Sequence, residues 1–393
     1  MATSPVEATL KQCLPDSVSF GTDDQRLEYF KSRALTVEHP RLDQAVDELE
    51  WRIRGRIDQD YIMLFGPTGV GKTTAMRLLV NRMNQAAAAR SPAAILIEAL
   101  ASEANKFDWR GLYVDILEAL SAPFPDSALS VVERSIGQTS LRTVAMESFR
   151  ANPSVPALKR RVLCTAADRN LQLLALDEAI NFLADSNGAK LNSDGEVDAK
   201  STAHIVKSLV NKSHGSILFA GAYDLFDHAF QSGQLARRAE IVHFRRYTES
   251  PEDVSAFTQA FMGLLAHFPA AIELDPKDCA ADVFEQSIGA VGITRKILQR
   301  ALVNCVRHKL ALTDSVLKSS FFDKVRHRKL KKESEQGESK VQEYLSGLNE
   351  DVPEKQDAPV KNTQKETRET SIAPKPFERN QDRGWADKAP SFE

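Results

Sequence analysis

At 393 residues the chain has room for one large α/β domain with a helical companion and tails to spare. Its 51 lysines and arginines nearly balance 54 aspartates and glutamates, so no global basic charge advertises nucleic acid, although a local basic face stays open. Cys13, Cys164, Cys279 and Cys305 form no C-x-x-C pair and no metal-spaced cluster with histidine, which argues against a zinc site and a disulfide framework. The first residues lack a basic segment followed by an apolar core, and no apolar run approaches the roughly 20 residues of a membrane span, so a cytoplasmic protein that meets no membrane is expected.

Residues 1 to about 35 are polar and rich in turn formers such as Pro15-Asp16-Ser17, and read as a loose N-terminal arm with one short helix, an accessory rather than part of the core. From Arg41 to Ile57 apolar residues recur at three- and four-residue steps, which predicts an amphipathic helix that Gly55 weakens at its end. Tyr61 to Phe65 is a continuous apolar run ending at a glycine, as a buried parallel strand should be, and Lys72 to Met83 has helical spacing. Ala93 to Ala99 predicts a second strand, Trp109 to Leu120 and Pro156 to Arg169 two helices, and Leu171 to Leu176 a third strand. A polar loop around Ser186 to Gly195, a helix over Ala199 to Ser213, and strands at Ser216 to Ala220 and Glu240 to Phe244 complete a βα alternation. Such alternation implies a parallel sheet with helices on both faces, an α/β core over residues 36–250.

Beyond Pro251 only helical patterns follow, at Val254 to Leu265, Asp278 to Ser287, Thr294 to Val306 and Thr313 to Lys331, which predicts a small all-helical domain over residues 251–331. From Lys332 onward large aliphatic residues thin out in favour of Lys, Glu, Gln, Pro and Ser, so residues 332–393 are expected to form a disordered tail. Phe377, Trp385 and Phe392 punctuate that tail at spacings too irregular for one helix face, and suit peptide-like docking to a partner; the plainer alternative is a tail that only solubilises.

The segment Gly66-Pro67-Thr68-Gly69-Val70-Gly71-Lys72-Thr73 matches G-x-x-x-x-G-K-[ST], the phosphate loop. Its glycines let backbone N–H groups curl around phosphate oxygens at a helix start, with Lys72 set to neutralise the β and γ phosphates of ATP and Thr73, followed by Thr74, to offer a hydroxyl to Mg²⁺. The run LQLLALDE ends a buried strand in Asp177 and Glu178. There Asp177 would hold the metal through its shell and Glu178 would orient the water that attacks the γ-phosphate, unless the pair only caps a helix. Room for a further strand between Lys72 and Asp177 suits ATPases with the glutamate beside the aspartate, and no acceptor domain or lid arginine cluster supports a small-molecule kinase.

With FGPTGVGKTT, LLALDEAINFL, ILFAGAYDLF, SGQLARRAEIVHFRRY and GITRKIL in that order over about residues 35 to 310, the chain resembles the AAA+ superfamily. Within it, the QLARRAE stretch most resembles the transposon-encoded TniB and TnsC ATPases that regulate target-site choice. The resemblance implies a P-loop AAA+ core, a helical lid, and a homo-oligomer, ring or helical filament, built on duplex DNA. It also implies links to a target-selecting protein and a transposase. It implies an arginine finger at Arg238, or else Arg237, reaching the neighbouring subunit's γ-phosphate, where the residues alone equally suit a complement to a helix dipole. It implies that Arg295 closes over the phosphates of its own subunit, the alternative being a solvated first-turn residue, and that His39 and Pro40 pack adenine, the alternative being a turn before a helix. Lys106, Trp109 and Arg110 fall where such proteins track DNA, the alternative being ordinary surface packing, and the basic stretch Arg326 to Lys332 could touch phosphates or simply end a helix.

One departure stands out. The polar residue usual at the end of the fourth strand is missing from ILFAGAYD, with Tyr223 or Asp224 as substitutes. A second reading therefore stays open, a nucleotide-binding signalling or adaptor module with little turnover and no transposition role.

Overall fold

The computed structural model describes residues 22–32, 35–55, 60–87, 91–101, 107–121, 154–183, 215–230 and 238–346. The expected helix at Ala199 to Ser213, together with Lys106, Arg237, Phe377, Trp385 and Phe392, lies outside them.

Five strands, β1 (Tyr61–Phe65), β2 (Ala94–Glu98), β3 (Leu173–Asp177), β4 (Ser216–Gly221) and β5 (Ala239–His243), form one sheet in the order β2-β3-β4-β1-β5. Every pairing is parallel, and β4 stands between the strand of the phosphate loop and the strand of the Asp-Glu pair. Alternate side chains explain why β1 to β4 read as nearly continuous apolar runs. Tyr61, Met63 and Phe65 enter one core cluster with Ile95, Ile97, Leu174, Leu176, Ile217 and Phe219, whereas Ile62 and Leu64 enter another with Leu96, Leu173, Ala175 and Leu218. A strand buried on both faces has no polar positions to alternate with.

On the second face lie α2 (Pro40–Arg54), through Leu42, Val46 and Leu49, and α3 (Lys72–Ala87), through Met76, Leu79 and Val80. On the first lie α4 (Trp109–Ser121), α5 (Val155–Asp168), the short α6 (Ile180–Leu183) and α7 (Tyr223–Phe230). The helical part comprises α8 (Pro251–Ala266), α9 (Pro276–Ser287), α10 (Val291–His308), α11 (Asp314–Ser319) and α12 (Lys324–Leu345). Phe257, Phe261, Val283, Ile297 and Leu298 lie in its separate core. Among the described residues no helix is long and apolar enough to cross a membrane.

Three expectations need correction. The arm is not only an accessory: α1 (Asp23–Lys31), closed by a capping box from Thr22 to Gln25, buries Phe30 in the core of the helical part. The single helix expected over Thr313 to Lys331 is two, α11 and α12. Asp323 starts the second by accepting from the Arg326 N–H at 2.9 Å. Order also does not end at Lys332, because α12 continues to Leu345. It is held by a narrow stripe of Leu330, Ser334, Gly337 and Val341, the last 1% exposed in the core of the sheet's first face and contributing roughly 2 kcal/mol by its burial. A glycine inside a helix costs about 1 kcal/mol relative to alanine. At Gly337 the Tyr223 ring lies so close that an added Cβ would fall 2.1 Å from its Cδ2.

Candidate active site

The phosphate loop turns from the end of β1 into α3, so it emerges at the carboxyl end of a central strand, the usual ligand edge of a parallel sheet. Gly69 and Gly71 hold φ of +81° and +115°, conformations that an L side chain rarely adopts. Val70 is buried beneath the loop and anchors it to the second core. The first turn of α3, Lys72-Thr73-Thr74, carries no acidic residue, which leaves the positive end of the helix free to meet an anion.

Lys72 Nζ donates to the carbonyl oxygens of Gly66 at 2.9 Å and Pro67 at 3.0 Å. Its ammonium is therefore held inside the loop it serves. Burial lowers its pKa, while Asp177, Glu178 and Asp224 pull the other way. Thr73 Oγ1 donates to Asp177 Oδ2 at 2.6 Å, and Asp177 Oδ1 accepts from the Glu178 N–H at 3.0 Å. Asp177 is buried, and Glu178 turns outward through a left-handed backbone with φ of 52°, uncommon for a residue other than glycine and frequent where a side chain is aimed. Burial raises the Glu178 carboxyl above its ordinary range, Asp177 and Glu98 add to this, and Lys72 opposes it.

These residues fit a magnesium nucleotide. A Thr hydroxyl and an aspartate already in contact are the two protein groups such a metal uses, while phosphates and waters complete its oxygen shell.

Other expected site residues are placed differently. Arg295 is turned to the end of α1: its guanidinium donates to the carbonyl oxygens of Leu35 at 2.9 Å, Phe30 at 3.1 Å and Ser32, so it ties α10 to the last turn of α1 and the segment after it. The turn before it does touch the loop, since the Gly292 N–H donates to the Gly69 carbonyl at 2.8 Å and Ile293 packs on Gly69. The spacing of GITR located the contact but could not show which way the arginine points. His39 is the N-cap of α2, its Nδ1 accepting from the Leu42 N–H at 3.3 Å and lying 3.0 Å from the Tyr247 hydroxyl, and Pro40 is the first helical residue. Burial lowers the His39 pKa to about 4. An adenine contact by this pair is carried by the resemblance alone.

Arg238 sits just before β5, its carbonyl accepting from Tyr61 N–H at 2.9 Å at the start of β1. It therefore lies at the opposite end of the sheet from its own phosphate loop. Trp109 packs against Phe107, Phe182 and Tyr113 at centroid distances of 5.0, 5.7 and 6.1 Å, so it belongs to the core rather than to a base-stacking platform. Arg110 follows it on α4, half-buried.

Both substitutes at the end of β4 are engaged. Asp224 Oδ1 accepts from the Leu225 N–H at 2.9 Å, and the Tyr223 hydroxyl lies 3.0 Å from His243 Nε2. His243 in turn stacks on Phe65, and burial with Arg245 and Arg41 lowers its pKa to about 4. Sequence inspection passed over His243 and also Arg246, whose guanidinium donates to both oxygens of Glu338 at 2.9 and 3.0 Å. The pairing of β5 with β1 was needed to bring His243 beside Phe65 and Tyr223.

A parallel five-stranded sheet carries the phosphate loop after β1 and the acidic end of β3 on one edge, the α/β arrangement of a P-loop core. Residues 56–228 match the family model described as an AAA domain. No curated protein matches the chain. Among solved structures, that of the Aeropyrum pernix ORC1 protein in complex with DNA is similar, at 14% sequence identity, with 75% of this chain and 68% of that chain covered and a TM-score of 0.49.

Proposed function

We propose that the chain is an ATP hydrolase, converting ATP and water to ADP and phosphate, and that it works as a nucleotide-dependent assembly switch. The observation that carries this reading is the convergence of Lys72, Thr73, Asp177 and Glu178 at the carboxyl ends of β1 and β3. Lys72 would exchange the Gly66 and Pro67 carbonyls for phosphate oxygens, Thr73 and Asp177 would hold Mg²⁺, and Glu178 would orient water in line with the γ-phosphate. The bound metal would supply charge neutralisation of the phosphate oxygens.

Arg238, remote from its own site, suits a role in the site of a neighbouring copy, with Arg237 as the alternative. ATP would then join subunits into a ring or filament on duplex DNA, and hydrolysis would dismantle it. In the transposition reading, supported by the QLARRAE stretch and the motif order, the assembly links a target-selecting protein to a transposase, with Phe377, Trp385 and Phe392 as anchors. The exposed Arg326, Arg328, Lys329, Lys331 and Lys332 supply a basic face for DNA phosphates, although Asp323, Glu333 and Glu335 partly neutralise it.

A test is to mix Arg238→Ala with Lys72→Ala subunits. Each alone should fail to hydrolyse ATP, and the mixture should recover part of the turnover because some interfaces join an intact finger to an intact loop. No recovery would remove Arg238 from a shared site. The adaptor reading is favoured by one observation, that the Tyr223 hydroxyl is engaged with His243. Turnover indistinguishable from that of Glu178→Gln would select it.

A further inference from the structure

Helix α12 lies beside the phosphate loop. A cleft of about 690 Å³ has Pro67, Thr68 and Asp224 among its lining on one side, and Glu333, Ser334 and Gly337 of α12 on the other. Asp224 acts electrostatically on both Lys72 and Glu178, so the wall it forms is the catalytic side of the phosphate loop.

The helix is fastened along its length to both parts of the molecule. Leu330 packs with the helical core and Val341 with the core of the sheet. Tyr344 meets Phe226 edge-on at 5.4 Å. Between them the bidentate Arg246–Glu338 pair is mostly buried, at 18% and 24% exposure, and Arg246 also donates to the Ile288 carbonyl at 3.1 Å. Most remaining positions of α12 are polar and exposed. Gly337 is unfavourable for a free helix, yet the close Tyr223 ring requires it, so this segment is shaped for docking.

We propose that α12 is a removable strap: docked, it closes the catalytic side of the phosphate loop and ties the helical part to the sheet; displaced, it opens that side to a second copy of this chain. This inference rests on the assembly reading given above. Docking then competes with association, and the apparent affinity between copies is the intrinsic affinity multiplied by the fraction of molecules whose strap is free.

Gly337→Ala favours the helix itself but drives a methyl group into Tyr223, and Glu338→Arg repels Arg246. Exchanging the charges in Arg246→Glu/Glu338→Arg should restore the pair. Hydrogen exchange over residues 324–345 of the full chain without nucleotide reads docking, and light scattering against protein concentration with ATP reads association. Both single variants should lose about tenfold or more in protection and assemble at about tenfold lower concentration than the parent, with the exchanged pair returning toward it. Unchanged protection overturns the inference. A released strap with an unchanged assembly midpoint also overturns it and leaves the assembly reading standing. If the strap is released and neither parent nor variants assemble, both fall.

Discussion

The hydroxyl of Thr73 donates to the carboxylate of Asp177 across 2.6 Å, joining two residues 104 positions apart at neighbouring points of one sheet edge. The contact occurs because β4 inserts between β1 and β3 and all three strands run the same way. It places the two protein ligands expected of a phosphate-bound metal in register before any nucleotide arrives.

Lys72→Ala should weaken ATP binding about 100-fold, the loss expected when a charge-assisted contact worth about 3 kcal/mol disappears. Calorimetric titration with ATP and magnesium measures this directly. Affinity equal to that of the parent would place the nucleotide elsewhere.

Glu178→Gln should keep ATP affinity within about threefold and lower turnover by about 100-fold or more, because only the water-orienting carboxylate is lost. The acid limb of parental turnover should lie above the ordinary carboxylate value of 4.5, since burial and Asp177 raise the Glu178 pKa. Single-turnover phosphate release across pH checks both, and an acid limb below that value would remove Glu178 from the role.

Arg295→Ala should destabilise the fold by about 2 kcal/mol or more, because three carbonyl oxygens around the end of α1 lose a charged donor. ATP affinity should change less than about threefold, in contrast to a phosphate-contacting arginine. Thermal unfolding and ATP titration of the same variant separate the two roles.

His39 gives the fold an acid-sensitive point. Nδ1 is the acceptor at the cap of α2, and burial holds the folded-state pKa near 4 against an ordinary 6.5, so the unfolded chain takes up this proton first as pH falls. The stabilisation is whole above pH 6.5 and is lost progressively as pH falls to about 4, roughly 3 kcal/mol in all. His243, also lowered to about 4, adds in the same direction. His39→Asn preserves a capping side chain without this titration, and its urea-unfolding stability should depend less steeply on pH over that window. A slope identical to the parent's would show that His39 does not contribute.

The sheet and the loop that meets Asp177 were legible in the sequence because their physics is local. Buried parallel strands show as unbroken apolar runs over residues 61–65 and 173–176, and a phosphate loop needs its glycines and lysine at fixed offsets. What escaped depends on contacts between distant segments. α12 docks through Ser334, Gly337, Val341 and one ion pair, a stripe too small and polar to stand out from a tail composition. Arg295 was placed in the right turn, but its direction is set by carbonyls more than 260 positions away in sequence at Ser32 and Phe30. The Tyr223–His243 contact became visible only once β5 was paired beside β1.

Sedimentation of the full chain with duplex DNA, compared in ATP, in ADP and without nucleotide, tests the assembly switch most directly. The account predicts large DNA-bound species with ATP alone, shrinking as ATP is consumed in the parent and persisting in Glu178→Gln. Sedimentation that is the same in all three nucleotide conditions would contradict it.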